Sequence, residues 1–279
     1  MRATFRSFVM VLALALVGCA SPVTLTDVAT VNRPGRHEVY LPGSGVTLGG
    51  ILFRSDNKAT AVPAIVVLQA GRLPCVRRAS RVEGTARRLS EQGYVSLALS
   101  MRGWPPSDGR DDCGSEQPND IVRAADWLAG LPGVNPDRIG VLGNSQGGQV
   151  ALLSGARTSR IKAIVAVYAV TDIPLLRTTT SHESVRRYYT QLTCGAGYEN
   201  SPVNFAGNIQ APVLLIHGDS DTRVPTEQSL KMQDALRTAN RPVEFVLVPG
   251  AGHGFTGVQS QHAWSATMRF FSTHLGLRD

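Results

Sequence analysis

Gly140-Val-Leu-Gly-Asn-Ser-Gln-Gly-Gly148 is the stretch that decides the fold. Residues 138–142 alternate and favour a β-strand, whereas residues 149–153, Gln-Val-Ala-Leu-Leu, continue as a helix. Ser145 therefore falls on a sharp strand-to-helix turn. Glycines on either side let neighbouring backbone come close, and the turn holds the serine in a strained conformation. The helix that follows aims its free N–H groups at the same place. An exposed hydroxyl beside a ready anion site is what acyl transfer requires.

A serine nucleophile needs a base, and the base needs a group to orient it. Within residues 211–225 an apolar strand ends in His217-Gly-Asp-Ser-Asp221, a polar turn with two aspartates. Within residues 243–255 another strand ends in Gly252-His-Gly254. The chain order is Ser145, Asp221, His253, with separations of 76 and 32 residues. That is the order of α/β-hydrolases and not of chymotrypsin- or subtilisin-type enzymes.

On Gly143-Asn-Ser-Gln-Gly-Gly148, His217-Gly-Asp-Ser-Asp221 with Val224-Pro225, and Gly252-His-Gly254, the chain resembles the dienelactone hydrolase and prolyl-oligopeptidase-like α/β-hydrolases. The resemblance covers residues 37–277. It implies that Asp221 is the acid of a Ser145, His253, Asp221 triad and that Asp219 braces the turn. His217 follows a buried strand and reads as structural. The family's oxyanion hole takes one N–H from the residue after the nucleophile, here Gln146. The other comes from the loop after the strand at 64–68. The family has His-Gly-x there; this chain has Gln69-Ala-Gly71. Backbone amides can still serve, with Gly71 the favoured donor and Arg72 the next. The resemblance implies no cofactor, and no Cys/His spacing suggests a metal site.

The rest of the chain alternates strands and helices. Strands are expected at 38–41 and 46–53 as a hairpin, then at 64–68, 94–99, 138–142 and 161–167. Helices are expected at 78–91 and 119–131. This rhythm predicts an α/β fold, a mostly parallel sheet with helices on both faces. Catalytic groups then gather at the C-terminal ends of the strands. Residues 173–206 break the rhythm and read as a short cap insertion, where His182, Tyr188 and Tyr189 are candidates for substrate contact. About 260 residues after the signal segment suit one domain, placed at 37–279.

The first residues read as an export signal. Arg2 and Arg6 precede a short apolar core, and Leu16-Val-Gly-Cys19 follows. An apolar stretch this short suits a signal peptide better than a membrane span. The ending resembles a bacterial lipobox, which implies cleavage after residue 18 and lipidation of Cys19. Alanine at position 20 implies the outer membrane, facing the periplasm. Residues 19–36 read as a polar tether. Loss of Arg2 and Arg6 lowers the formal charge from +7 to +5. That mild basicity suits anionic head groups, and no nucleic-acid motif or basic block is present. With Cys19 lipidated, Cys75, Cys113 and Cys194 remain, enough for one disulfide in an oxidising compartment. All three follow parallel strands. Cys113–Cys194 is the favoured pair, with Cys75–Cys113 close behind.

The expected activity is hydrolysis of a small-molecule carboxylic ester through an acyl-enzyme. The alternatives are a prolyl-oligopeptidase-like peptidase and a non-catalytic envelope lipoprotein. The atypical Gln69-Ala70 is the one feature in favour of the last.

Overall fold

The structure, a computed structural model, describes residues 24–56, 61–69, 79–191, 195 and 197–276. Cys19, Gly71, Arg72, Cys75 and Cys194 lie outside the described residues. Eight strands form one sheet: β1 (Gly35–Pro42), β2 (Thr47–Arg54), β3 (Val62–Leu68), β4 (Val95–Leu99), β5 (Val134–Asn144), β6 (Ile161–Val167), β7 (Val213–Gly218) and β8 (Val243–Val248). Their order is β1-β2-β4-β3-β5-β6-β7-β8. β1 and β2 form the expected hairpin, and β2 runs antiparallel to β4. Every other pairing is parallel.

The parallel strands are apolar on both sides because helices cover both faces. β3 sends Ala64, Val66 and Leu68 to one face and Ile65 and Val67 to the other. The first face receives α2 (Gln117–Ala129), α3 (Gln146–Gly155) and α6 (Glu227–Thr238) through Ile121, Leu152 and Met232. The second receives α1 (Ala79–Glu91) and α7 (Gly257–Leu275) through Leu89 and Phe271. Each fully buried aliphatic side chain contributes about 1.5–3 kcal/mol of transfer free energy.

The topology fixes where a site can form. The chain goes from β3 out to β4, then returns across β3 to β5 and proceeds the other way. Ligand crevices open at such a reversal, beyond the carboxyl ends of the two central strands. Here those ends are Leu68, leading into the Gln69 loop, and Asn144, leading into Ser145.

The expected insertion contains two short helices, α4 (Ile173–Thr179) and α5 (Glu183–Tyr189), and a 3-10 turn at Pro202–Asn208. Ile173, Leu176 and Tyr189 pack with Cys113, Val170 and Val224 in a small core of their own.

The tether reading needs correcting. From residue 24 the chain is docked on the domain. Thr26 N–H donates to Tyr40 O at 2.8 Å, and Thr26 Oγ1 accepts from Tyr40 N–H at 2.8 Å. Asp27 caps a 3-10 turn at Val28–Val31, and Val31 is buried. The proline-containing polar composition concealed one valine that joins the buried core. No helix among the described residues is long and apolar enough to cross a membrane.

Candidate active site

β5 delivers Ser145 to the end of the sheet, and the turn there is as tight as the sequence implies. Ser145 has φ 55° and ψ −118°, a conformation that costs free energy for a non-glycine residue. Its N–H donates to Val167 O at 2.8 Å, which ties the turn to β6. Two glycines make this possible. A Cβ on Gly143 would stand 2.1 Å from the carbonyl oxygen of Gly147. One on Gly147 would stand 2.5 Å from the carbonyl oxygen of Gln69 and 2.8 Å from that of Leu68. The start of α3 is therefore pressed against the end of β3 with no room for a side chain.

Three chain-distant residues meet here. His253 Nε2 lies 3.0 Å from Ser145 Oγ, and His253 Nδ1 lies 2.7 Å from Asp221 Oδ2. Asp221 Oδ1 accepts from the N–H groups of Arg223 and Val224, both at 2.9 Å. Burial favours the neutral carboxyl of Asp221. Hydrogen bonds from His217 and His253, with the Val224 amide, outweigh it and hold the group well below the usual carboxylate range. Asp221 is thus an acceptor fixed in place, able to keep a proton on Nδ1 and leave Nε2 free for the serine.

The neighbouring residues separate into bracing and lining. Asp219 Oδ1 accepts from Gly250 N–H at 2.8 Å and from Ser220 Oγ at 2.9 Å, so it joins the acid turn to the loop bearing His253. His217 is fully buried, with Nδ1 2.7 Å from Ser229 Oγ and Nε2 2.7 Å from Val224 O and 3.4 Å from Asp221 Oδ2. It supports the turn and does not reach the serine. His182 Nε2 lies 3.3 Å from Thr222 Oγ1, beside the acid turn. Gln69, standing where the family has histidine, is buried, and its Oε1 finds no hydrogen-bond partner among the described residues. Cys113 is disulfide-bonded, with its partner outside the described residues.

Two residues at the site escaped sequence reasoning. Tyr168 follows β6 with φ 38°, and its ring lies 4.7 Å from that of His253 and 5.1 Å, edge-on, from Phe255. Burial, helped by the charge of Asp221, pushes its phenol up to about 12. Asp111, in the loop after β4, accepts from Gln146 Nε2 at 3.2 Å and from Tyr188 Oη at 2.8 Å. Neither lies in a motif. Only the folded loops bring them to Gln146 and His253.

The sheet order, the strained serine turn and the chain order of the three residues define an α/β-hydrolase. Solved structures share this fold. A puromycin-hydrolyzing peptidase of Mycobacterium tuberculosis superposes with TM-score 0.73 at 24% identity, over 92% of this chain and 41% of its own. A Klebsiella pneumoniae protein assigned as a dienelactone hydrolase gives 0.66 at 22%, over 86% and 99%.

A model of the prolyl oligopeptidase family matches residues 81–278, and the chain belongs to that family. It is a serine hydrolase of this type. Dipeptidyl-peptidase 5 of Porphyromonas gingivalis is 26% identical over 275 residues, 91% of this chain. This chain spans only 40% of that relative's length. A Yersinia pestis protein assigned as a carboxymethylenebutenolidase is 26% identical over 259 residues, 85% of this chain and 88% of its own.

Proposed function

We propose that the protein is a serine esterase that cleaves small-molecule carboxylic esters, with Ser145 as nucleophile, His253 as base and Asp221 as the orienting acid. The observation that carries this is the unbroken line from Asp221 Oδ2 through His253 to Ser145 Oγ, at 2.7 and 3.0 Å. His253 takes the serine proton as Oγ attacks the acyl carbon, and Asp221 stabilises the imidazolium. The N–H of Gln146 and one from the loop after β3, Gly71, receive the negative charge on the carbonyl oxygen. Each donor is worth about 3 kcal/mol. Collapse of the tetrahedral adduct gives the acyl-serine, and the departing alcohol takes the proton from His253. A water then gives its proton to His253, attacks the acyl carbon and releases the acid. Ser145 recovers its proton.

The ester reading is supported by the Yersinia relative assigned as a carboxymethylenebutenolidase, which matches along 88% of its own length. The peptidase reading is favoured by the family model and by the Porphyromonas relative, of which 60% lies beyond the match. Turnover of p-nitrophenyl acetate, butyrate and octanoate against peptide p-nitroanilides, by wild type and Ser145→Ala, decides between them. Ester turnover lost in the variant supports the proposal. Serine-dependent amide cleavage without ester turnover overturns it in favour of the peptidase.

We also propose that Cys19 is lipidated and holds the protein at the outer membrane, facing the periplasm. Incorporation of labelled fatty acid by wild type but not by Cys19→Ser supports this. Equal incorporation, or none in either, contradicts it.

A further inference from the structure

The proposed reaction uses the backbone of Gln146 but not its side chain, which is far from idle. Gln146 and Gln149 lie three residues apart on α3 and so share a face. Each is held by the same two segments. Gln146 Nε2 donates to Asp111 Oδ1 at 3.2 Å and to Tyr188 Oη at 2.7 Å. Gln149 Nε2 donates to Cys113 O at 3.0 Å, and Gln149 Oε1 accepts from Tyr189 Oη at 3.1 Å. The result is a two-rung ladder. Residues 111 and 113 of the loop after β4 form one upright, and adjacent tyrosines of α5 form the other. The tyrosine rings pack edge to face at 4.8 Å.

Asp111 is the centre of the first rung. Its Oδ1 accepts from Gln146 Nε2, from Gln117 Nε2 at 3.1 Å and from Cys113 N–H at 3.2 Å. Its Oδ2 accepts from Tyr188 Oη at 2.8 Å and Trp104 Nε1 at 3.0 Å. Five donors meet a carboxylate with about four lone-pair sites, so it has no capacity left to act as a base or to hold a substrate cation. Burial, reinforced by Asp111, pushes the Tyr188 phenol well above its ordinary value and keeps it a donor.

We propose that Asp111 is a positioning residue for the oxyanion donor. Through Gln146 Nε2 and Tyr188 it clamps the first turn of α3 and so fixes the Gln146 N–H. This rests on the reading of Ser145 as nucleophile. The physical need is clear: an oxyanion donor works only within about 2.7–3.1 Å of the developing charge. A misplacement near 1 Å costs about 10²-fold in rate. The long glutamine side chain would not fix that turn unaided. The clamp also joins the cap helix α5 to the nucleophile turn, so the cap forms part of the catalytic geometry.

The charge of Asp111 gives the proposal an opposite-signed alternative. A carboxylate near the oxyanion repels it. If Asp111 were only a neighbour, Asp111→Asn would leave kcat unchanged or raise it. A clamp predicts the reverse: kcat falls about 10- to 100-fold, and KM stays within about 3-fold because the hole acts on the transition state. Tyr188→Phe, which removes one hydroxyl, gives a smaller loss in the same direction. The double variant loses less than the product of the two, because both act through one clamp.

The experiment measures kcat and KM for p-nitrophenyl acetate, and inhibition by phenylboronic acid, whose serine adduct mimics the tetrahedral anion. The full-length proteins are wild type, Ser145→Ala, Asp111→Asn, Tyr188→Phe and the double variant. The proposal predicts that boronate affinity falls in step with kcat while KM holds. Unchanged or raised kcat in folded Asp111→Asn overturns it, as does a fall borne by KM alone. If Asp111→Asn does not fold, Tyr188→Phe decides by the same two criteria. Wild-type turnover in Ser145→Ala would overturn the nucleophile reading and this proposal together. Turnover that needs Ser145 but not Asp111 overturns this proposal alone.

Discussion

Replacing Gly147 by alanine tests whether the fit of α3 against β3 holds the site together. The new Cβ would lie 2.5 and 2.8 Å from two backbone carbonyl oxygens at the end of β3. Backbone cannot rotate aside as a side chain can. Relief requires α3 and β3 to separate by a sizeable fraction of an ångström, since carbon and oxygen prefer a distance above about 3.3 Å. Overpacking of this kind costs about 1–3 kcal/mol. In a domain of this size that lowers Tm by about 2–12 °C. The catalytic effect is larger, because the displacement separates the Gln146 amide from the loop expected to supply the second oxyanion donor. A shift approaching 1 Å implies a loss of about 10²-fold in kcat. The control is Gly84→Ala on α1, where a Cβ meets nothing within 4 Å. That change should leave kcat unaltered and raise stability by up to about 1 kcal/mol. Ester turnover and thermal unfolding of both variants give the answer. Gly147→Ala with kcat within 3-fold of wild type would refute the argument that this contact sets the geometry.

Asp221→Asn should lower kcat by about 10⁴-fold, because the imidazole loses the acceptor that sets its tautomer. The folded carboxyl of Asp221 titrates below its unfolded value near 3.9, so its stabilising contribution is complete above that pH and is lost as pH falls through the folded value. The gap in unfolding free energy between wild type and Asp221→Asn should therefore narrow as pH falls below about 4, as read by urea titration. Asp120→Ala should destabilise by about 1.5–3 kcal/mol, because Arg102 loses its two closest charged contacts and keeps Asp112, at 3.7 Å, as its ionic partner. Arg102 holds that carboxylate through two contacts, at 2.6 and 2.7 Å, while its Nη2 also reaches Ser44 O at 2.8 Å. Urea unfolding measures this loss, and a cost below about 1 kcal/mol would mean that the pair is solvated.

The central parallel strands and the three candidate catalytic residues were legible in the sequence for physical reasons. Buried parallel strands need apolar side chains on both faces, so β3, β6 and β7 stand out as continuous runs. The serine turn leaves its trace in glycines that contact alone requires, at 143 and 147. Asp111 and Tyr168 left no such trace. An aspartate in a polar loop and a tyrosine after a strand are ordinary in isolation. Their meaning comes from Gln146 and His253, which they meet only after folding. The docked segment before β1 was hidden for a related reason. Asp27 as a cap and Val31 as a core residue are weak local signals, and their strength comes from contacts with the folded domain.

The central claim is that Ser145 is the nucleophile of a serine hydrolase. The most direct test treats the wild-type protein with a fluorophosphonate and maps the adduct by mass spectrometry, with His253→Ala beside it. One adduct is expected, on Ser145, formed by the wild type and greatly slowed in His253→Ala. An adduct on another residue, or none on Ser145 under conditions where the protein turns over esters, would contradict it.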